Sequence, residues 1–175
     1  MKVSSIQSSK IEFIFAFKML HRKFFFQLNN QLNKCNRFIH TETHMKALGI
    51  ELPVIEPPKG NYISYLENGN KAYLSGHLPL HNGKLMTGIV GKDLNLEEAQ
   101  LAARSAGLQL IGTMKLNLGN LDRVKRIIKV NGFVQCTNEF KDQAQVTNGC
   151  SDLFHQVFQE RGLHVRTSTG KFYYY

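Results

Sequence analysis

Cysteine is scarce in this chain. The three present, Cys35, Cys136 and Cys150, are an odd number and contain no Cys-x-x-Cys pair. That spacing argues against a disulfide framework and for free thiols in a reducing compartment. Long apolar runs are also missing. The best candidate, Ile11 to Phe26, is broken by Glu12, Lys18, His21, Arg22 and Lys23, so no membrane-spanning helix is expected. There is no glycine-rich phosphate loop, no GxGxxG and no GxSxG. Ser75 precedes a glycine but lacks the surroundings of a nucleophile elbow. His77 and His81 are four residues apart, but Pro79 between them keeps them off one helical face. No metal site is expected.

Acidic residues are few, and their shortage is uneven. The 175 residues carry 22 Lys and Arg against 13 Asp and Glu. Residues 1–44 hold seven of the basic residues (Lys2, Lys10, Lys18, Arg22, Lys23, Lys34, Arg37) and two acids (Glu12, Glu42). The remainder is only mildly basic, which weakens any nucleic-acid argument from the overall charge. Within 1–44, Leu20, Phe24, Leu28 and Leu32 recur every four residues, with Arg22, Lys23 and Lys34 off the stripe. A basic, acid-poor, amphipathic N-terminus has the pattern of a mitochondrial presequence, the other reading being a disordered extension. The expected location is mitochondrial or cytoplasmic, and the folded domain is expected over 45–175.

What is present reads as β-β-α-β-α-β. A short helical piece, Met45 to Leu48, is followed by an extended loop with Pro53, Pro57 and Pro58. Tyr62 to Glu67 alternates, Asn68-Gly69 marks a hairpin, and Ala72 to Ser75 returns. Residues 77–95 form a long loop. Asn95-Leu96-Glu97-Glu98 has the form of a capping box at the head of a helix with a small-residue face of Ala99, Ala102, Ala103 and Ala106, stopped at Gly119. Val124 to Cys136 alternates as a strand, and the charges Arg123, Lys125, Arg126 and Lys129 at its start read as a solvated end rather than an RNA contact. Val146, Cys150, Leu153, Phe154, Val157 and Phe158 fall on one helical stripe, which Gly162 closes. His164 to Tyr175 is the last strand. The count predicts an α+β layer with both helices on one face of a mixed sheet. The other face then lacks a cover, most simply supplied by further copies of the chain.

One charge stands out. Arg166 sits between Val165 and two hydroxyl residues on a strand expected to be largely buried, where an unpaired charge is costly. An ion pair with Glu67 or Asp152 would satisfy it, and so would the carboxylate of a substrate held bidentately. The residues alone leave both open. Cys150, within the apolar stripe, reads as core rather than nucleophile.

Several segments, in order, resemble the Rid (YjgF-type, endoribonuclease L-PSP-like) family of reactive-intermediate imine deaminases. They are Gly60-Asn61-Tyr62, Leu74-Ser75-Gly76-His77, Leu96-Glu97-Glu98-Ala99, Leu121-Asp122-Arg123-Val124, Gly132-Phe133-Val134 and Val165-Arg166-Thr167-Ser168. The resemblance covers roughly 46–170, and Asn148-Gly149-Cys150-Ser151-Asp152 resembles a divergent branch. It implies a chorismate-mutase-like fold and a homotrimer with active sites in the clefts between subunits. Arg166 would bind the carboxylate of an imine or enamine such as 2-aminoacrylate. Ser75 and Gly76 would act beside it, Tyr62 would line the pocket, and Thr167, Ser168 and Asn148 would help bind substrate. The products would be a 2-keto acid and ammonia. No cofactor is implied, because an imine is already electrophilic. Ser168 stands where the archetype has cysteine. The family's final strand and its water-ordering glutamate have no counterpart before Tyr175, so a shortened product with impaired assembly or activity is expected. The resemblance leaves a non-catalytic ligand- or protein-binding trimer as the second reading and an RNA-binding or RNA-cleaving protein as the third.

Overall fold

The computed structural model describes residues 40–171. Cys35, the stripe from Leu20 to Leu32 and the terminal tyrosines lie outside the described residues. Chain order is α1 (Thr41–Ala47), β1 (Tyr65–Asn68), β2 (Lys71–Leu74), β3 (Leu80–His81), β4 (Lys84–Leu85), α2 (Leu96–Leu118), β5 (Lys129–Gln135), α3 (Gln143–Phe158) and β6 (Val165–Lys171). Short 3-10 turns at Leu121–Arg123 and Gln159–Gly162 lead into β5 and β6. None of the described helices is long and apolar enough to cross a membrane.

The local signals act where their chemistry places them. At α2 the Asn95 side chain accepts from the Glu98 N–H while the Glu98 carboxylate accepts from the Asn95 N–H, each at 2.9 Å. This satisfies backbone donors that the first turn leaves free. Gly119 ends the helix at φ 72°, a conformation open to glycine at little cost. On α3 all six residues of the apolar stripe are buried. Leu153, Phe154, Val157 and Phe158 join Met45, Ile111, Met114 and Leu121 in the main core. Each large side chain so buried contributes roughly 1.5–3 kcal/mol. The β1–β2 hairpin closes one residue later than Asn68-Gly69 suggests. Asn68 pairs with Lys71, leaving Gly69-Asn70 as the loop with Gly69 at φ 61°, the arrangement of a type II′ turn. The 77–95 loop carries its own small hairpin, β3–β4, turned by Asn82 and Gly83 at φ 49° and 75°.

Two expectations are corrected. The strands do not form one mixed sheet. Among the described residues they make three two-stranded ladders, β1–β2 and β3–β4 antiparallel and β5–β6 parallel. A two-stranded ladder is too narrow to cover two helices, so α2 and α3 pack chiefly on each other. Gly149 makes that contact possible, since a Cβ there would overlap the Gln100 carbonyl of α2. Gly107 of α2 faces the Leu153 and Cys150 side chains more loosely, a Cβ there lying 3.0 and 3.1 Å from them. α3 also covers one face of β5–β6, where Val130, Gly132 and Val134 alternate with the exposed Lys129, Asn131 and Phe133. The opposite face leaves Phe133 75% and Val165 65% exposed.

The second correction concerns the first helix. It starts at Thr41 rather than Met45, within a compact unit that runs from His40 onward. Thr41 is buried. Its N–H and hydroxyl both donate to the Asp122 carboxylate, at 2.8 and 2.6 Å, and its oxygen accepts from Arg161. Glu42 pairs with Lys115 at 2.8 Å and accepts from the Leu121 N–H. These partners lie 73 to 120 residues away in sequence, so no local pattern announces them.

Candidate functional site

The parallel β5–β6 pair places Val130 beside Arg166 and Gly132 beside Ser168. Period-two alternation then turns Arg166 and Ser168 toward α3 and leaves Thr167 exposed on the opposite face. α3 meets this face with Thr147, Asn148 and Ser151. Arg166 Nη1 donates to Asn148 Oδ1 at 2.8 Å and to Ser151 Oγ at 3.0 Å. Both Nη1 hydrogens are therefore committed to neutral oxygens on one helix turn. Among the described residues no side-chain nitrogen or oxygen is sealed from solvent without a partner. Arg166 Nε and Nη2, which have no partner among the described residues, thus form an accessible donor edge on a half-buried guanidinium.

The ion-pair explanation of Arg166 does not hold among the described residues. Glu67 pairs with Arg123 at 3.4 Å, and Asp152 is exposed with no bond to the guanidinium. Cys150 lies beneath the site. Burial pushes its thiol up to about 12 despite the opposing charge of Arg166, which makes it a core residue and a poor nucleophile.

Sequence reasoning missed two members of this cluster. Ser151 Oγ lies 3.1 Å from His164 Nε2, and His164 Nδ1 lies 2.6 Å from the Gly162 carbonyl. The signal was spacing: Ser151 is three residues after Asn148 on α3, and His164 is two before Arg166 on the approach to β6. Ser168 belongs to the same interface, but its hydroxyl donates to Thr147 Oγ1 at 2.9 Å and Thr147 donates on to the Gln143 carbonyl. Gly132 leaves room for this contact, since a Cβ there would lie 2.7 Å from Thr147 Oγ1.

The other expected residues gather elsewhere. Tyr62 and Ser75, with Ile63, Leu66, Tyr73 and Leu74, line an open cleft of about 400 Å³ on the β1–β2 hairpin. The Ser75 hydroxyl donates to the Ile63 carbonyl at 2.6 Å, and its N–H donates to the Ser64 carbonyl. His77 bridges the Ser75 carbonyl, at 2.8 Å, and Thr113 of α2, at 2.7 Å. Gly76 faces open space. No hydrogen bond or ladder among the described residues joins this group to Arg166, Asn148 and Ser168. Among the described residues the expected site residues thus fall in two separate groups, one around the Arg166 guanidinium and one in the Tyr62–Ser75 cleft.

The α+β architecture with a parallel β-α-β unit and an arginine-bearing last strand defines the class, and comparison with known proteins defines the family. Residues 42–171 match the model described as "YjgF/chorismate_mutase-like, putative endoribonuclease". The chain belongs to this YjgF/chorismate mutase-like family. It is 43% identical over 129 residues to Protein TCP17 of Trypanosoma cruzi, an alignment covering 73% of this chain and 81% of that protein. Among solved structures it is similar to Atu1372 of Agrobacterium tumefaciens, described as of unknown function, with TM-score 0.68, 38% identity and coverage of 75% and 82%. It is also similar to a protein of Shewanella oneidensis described as a "putative endoribonuclease", with TM-score 0.73, 31% identity and coverage of 76% and 89%.

Proposed function

We propose that this protein hydrolyses reactive imines or enamines of 2-amino acids, of the 2-aminoacrylate type, to a 2-keto acid and ammonia. The observation that carries this reading is the state of Arg166. Its guanidinium is half-buried, oriented by two neutral oxygens, and open along the Nε–Nη2 edge. Such an edge matches the two oxygens of a carboxylate. Holding that carboxylate places the adjacent imine carbon at a fixed distance from the protein's polar groups, so orientation supplies the catalysis. Water adds to the imine carbon, the nitrogen takes a proton, and the carbinolamine releases ammonia as the carbonyl forms.

In this reading further copies of the chain, three in all, cover the exposed Phe133 and Val165 face. Their assembly brings the Tyr62 and Ser75 cleft of one subunit to the Arg166 edge of its neighbour. The experiment is to generate an imine in situ with an amino-acid oxidase and follow 2-keto acid and ammonia release by the full chain. Faster release, lost in Arg166→Ala, is the expected result. Release unchanged by the protein would sink the activity.

A second reading, a ligand-binding module without turnover, draws on one feature. No carboxylate among the described residues bonds to Arg166, Asn148 or Ser151, where it could orient water. That reading expects 2-keto acid binding with no acceleration. An RNA-directed role has the exposed run Arg123, Lys125, Arg126 and Lys129 as its local support. It expects RNA affinity that falls steeply with salt.

A further inference from the structure

We propose that His164, acting through Ser151, is a positioning residue that sets the orientation of Arg166 for a carboxylate ligand. The inference rests on the carboxylate reading of Arg166 given above. Three hydrogen bonds run in one direction. The Gly162 carbonyl can only accept, so in the neutral imidazole His164 Nδ1 carries the proton and donates, at 2.6 Å. His164 Nε2 is then an acceptor and takes the Ser151 hydroxyl proton, at 3.1 Å. Ser151 Oγ thereby turns a lone pair toward Arg166 Nη1, at 3.0 Å. A serine hydroxyl is otherwise free to rotate and could present its hydrogen to the guanidinium instead. His164 removes that choice.

The relay has a rigid origin. Gly162 is buried, and a Cβ there would overlap the Phe154 carbonyl, so its backbone sits directly on α3. The His164 ring is also held edge-on against Phe154, with centroids 5.9 Å apart and planes at 76°. Asn148 Oδ1 occupies the second Nη1 hydrogen at 2.8 Å. With both hydrogens engaged, rotation of the guanidinium plane is restrained, and Nε and Nη2 are left to a ligand. His164 touches no substrate in this arrangement. It lowers the ordering cost that a ligand would otherwise bear.

The test uses the full chain with two substitutions of His164. His164→Phe keeps a ring against Phe154 but removes the acceptor. His164→Gln restores an acceptor near the Nε2 position without the imidazole ring. Two quantities are read: the ¹⁵N side-chain resonances of Arg166, assigned with Arg166→Lys, and the affinity for pyruvate by calorimetry. In His164→Phe the restricted Nη1 signals are expected to collapse and pyruvate affinity to fall about tenfold, with both recovered in His164→Gln. Ser151→Ala breaks the same relay at its middle and serves where His164→Phe does not fold. Unchanged Arg166 signals in His164→Phe and Ser151→Ala would overturn the proposal. So would loss in both His164 variants, which would assign the effect to the imidazole itself. If the Arg166 signals follow the expected order while wild type fails to bind pyruvate, the positioning role stands and the carboxylate reading falls.

Discussion

Gly149 of α3 lies so close to Gln100 of α2 that a single methyl at residue 149 would overlap the Gln100 carbonyl oxygen. Asn148 and Ser151 flank this contact on α3, so the helix crossing also fixes the depth at which they meet Arg166. Gly149→Ala must push the helices apart or distort one of them. We expect a loss of roughly 2–4 kcal/mol in urea unfolding, with the Arg166 contacts disturbed as well. Gly76→Ala, which faces open space at an ordinary φ, is the control and should unfold within roughly 0.5 kcal/mol of wild type.

Asn148→Asp would give Arg166 an internal carboxylate at the position now 2.8 Å from Nη1. The new ion pair would compete with an external carboxylate for the guanidinium. The expected outcome is an equal or higher melting temperature together with 2-keto acid affinity at least about tenfold weaker. Thermal melts and calorimetry on one sample check both. Undiminished affinity would show that the ligand does not use Arg166.

Asp122 makes stability depend on acid. The Thr41 hydroxyl, the Thr41 N–H and then His40 donate to its carboxylate, and together they hold it well below the ordinary value of 3.8. A carboxyl lowered in the folded state stabilises the fold fully above its unfolded value. That contribution is lost as pH falls from about 4 toward the folded value. Asp122→Asn should therefore cost roughly 1–3 kcal/mol at pH 7. The gap to wild type should narrow progressively below pH 4, which unfolding at a series of pH values will follow. A constant gap would show that the charge is not what Thr41 and His40 recognise.

The start of the folded unit is testable by length. A chain beginning at Met45 lacks Thr41 and Glu42, leaving Asp122, Lys115 and Arg161 without the partners they have here. Compared with one beginning at His40, it should melt several degrees lower, corresponding to a loss of roughly 2–4 kcal/mol. Equal melting would place the boundary at 45 after all.

Much of this architecture was legible in residue order. The Asn95–Glu98 capping box, the Gly119 stop, the α3 stripe from Val146 to Phe158 and the alternation of β5 each depend on neighbours within four residues. Spacing of that kind determines which side chains share a face. The ordered motifs from Gly60 to Ser168 likewise carried the family, because each belongs to one short segment. Arg166 could be singled out too, as a charge on a strand with an apolar pattern.

Its partners could not. Periodicity says that Arg166 and Ser168 face one way, but not that Asn148, Ser151 and Thr147 lie opposite, because no rule of spacing relates β6 to a turn of α3. No spacing rule marks Gly107 and Gly149 as points where α2 and α3 come close. The separation of Tyr62 and Ser75 from Arg166, the division into three ladders, and the capture of Thr41 by Asp122 were decided in the same way. Each is a meeting of residues far apart in the chain. The sequence by itself determined the helices, their ends and the family; only tertiary packing decided which polar groups the folded chain sets around the half-buried guanidinium of Arg166.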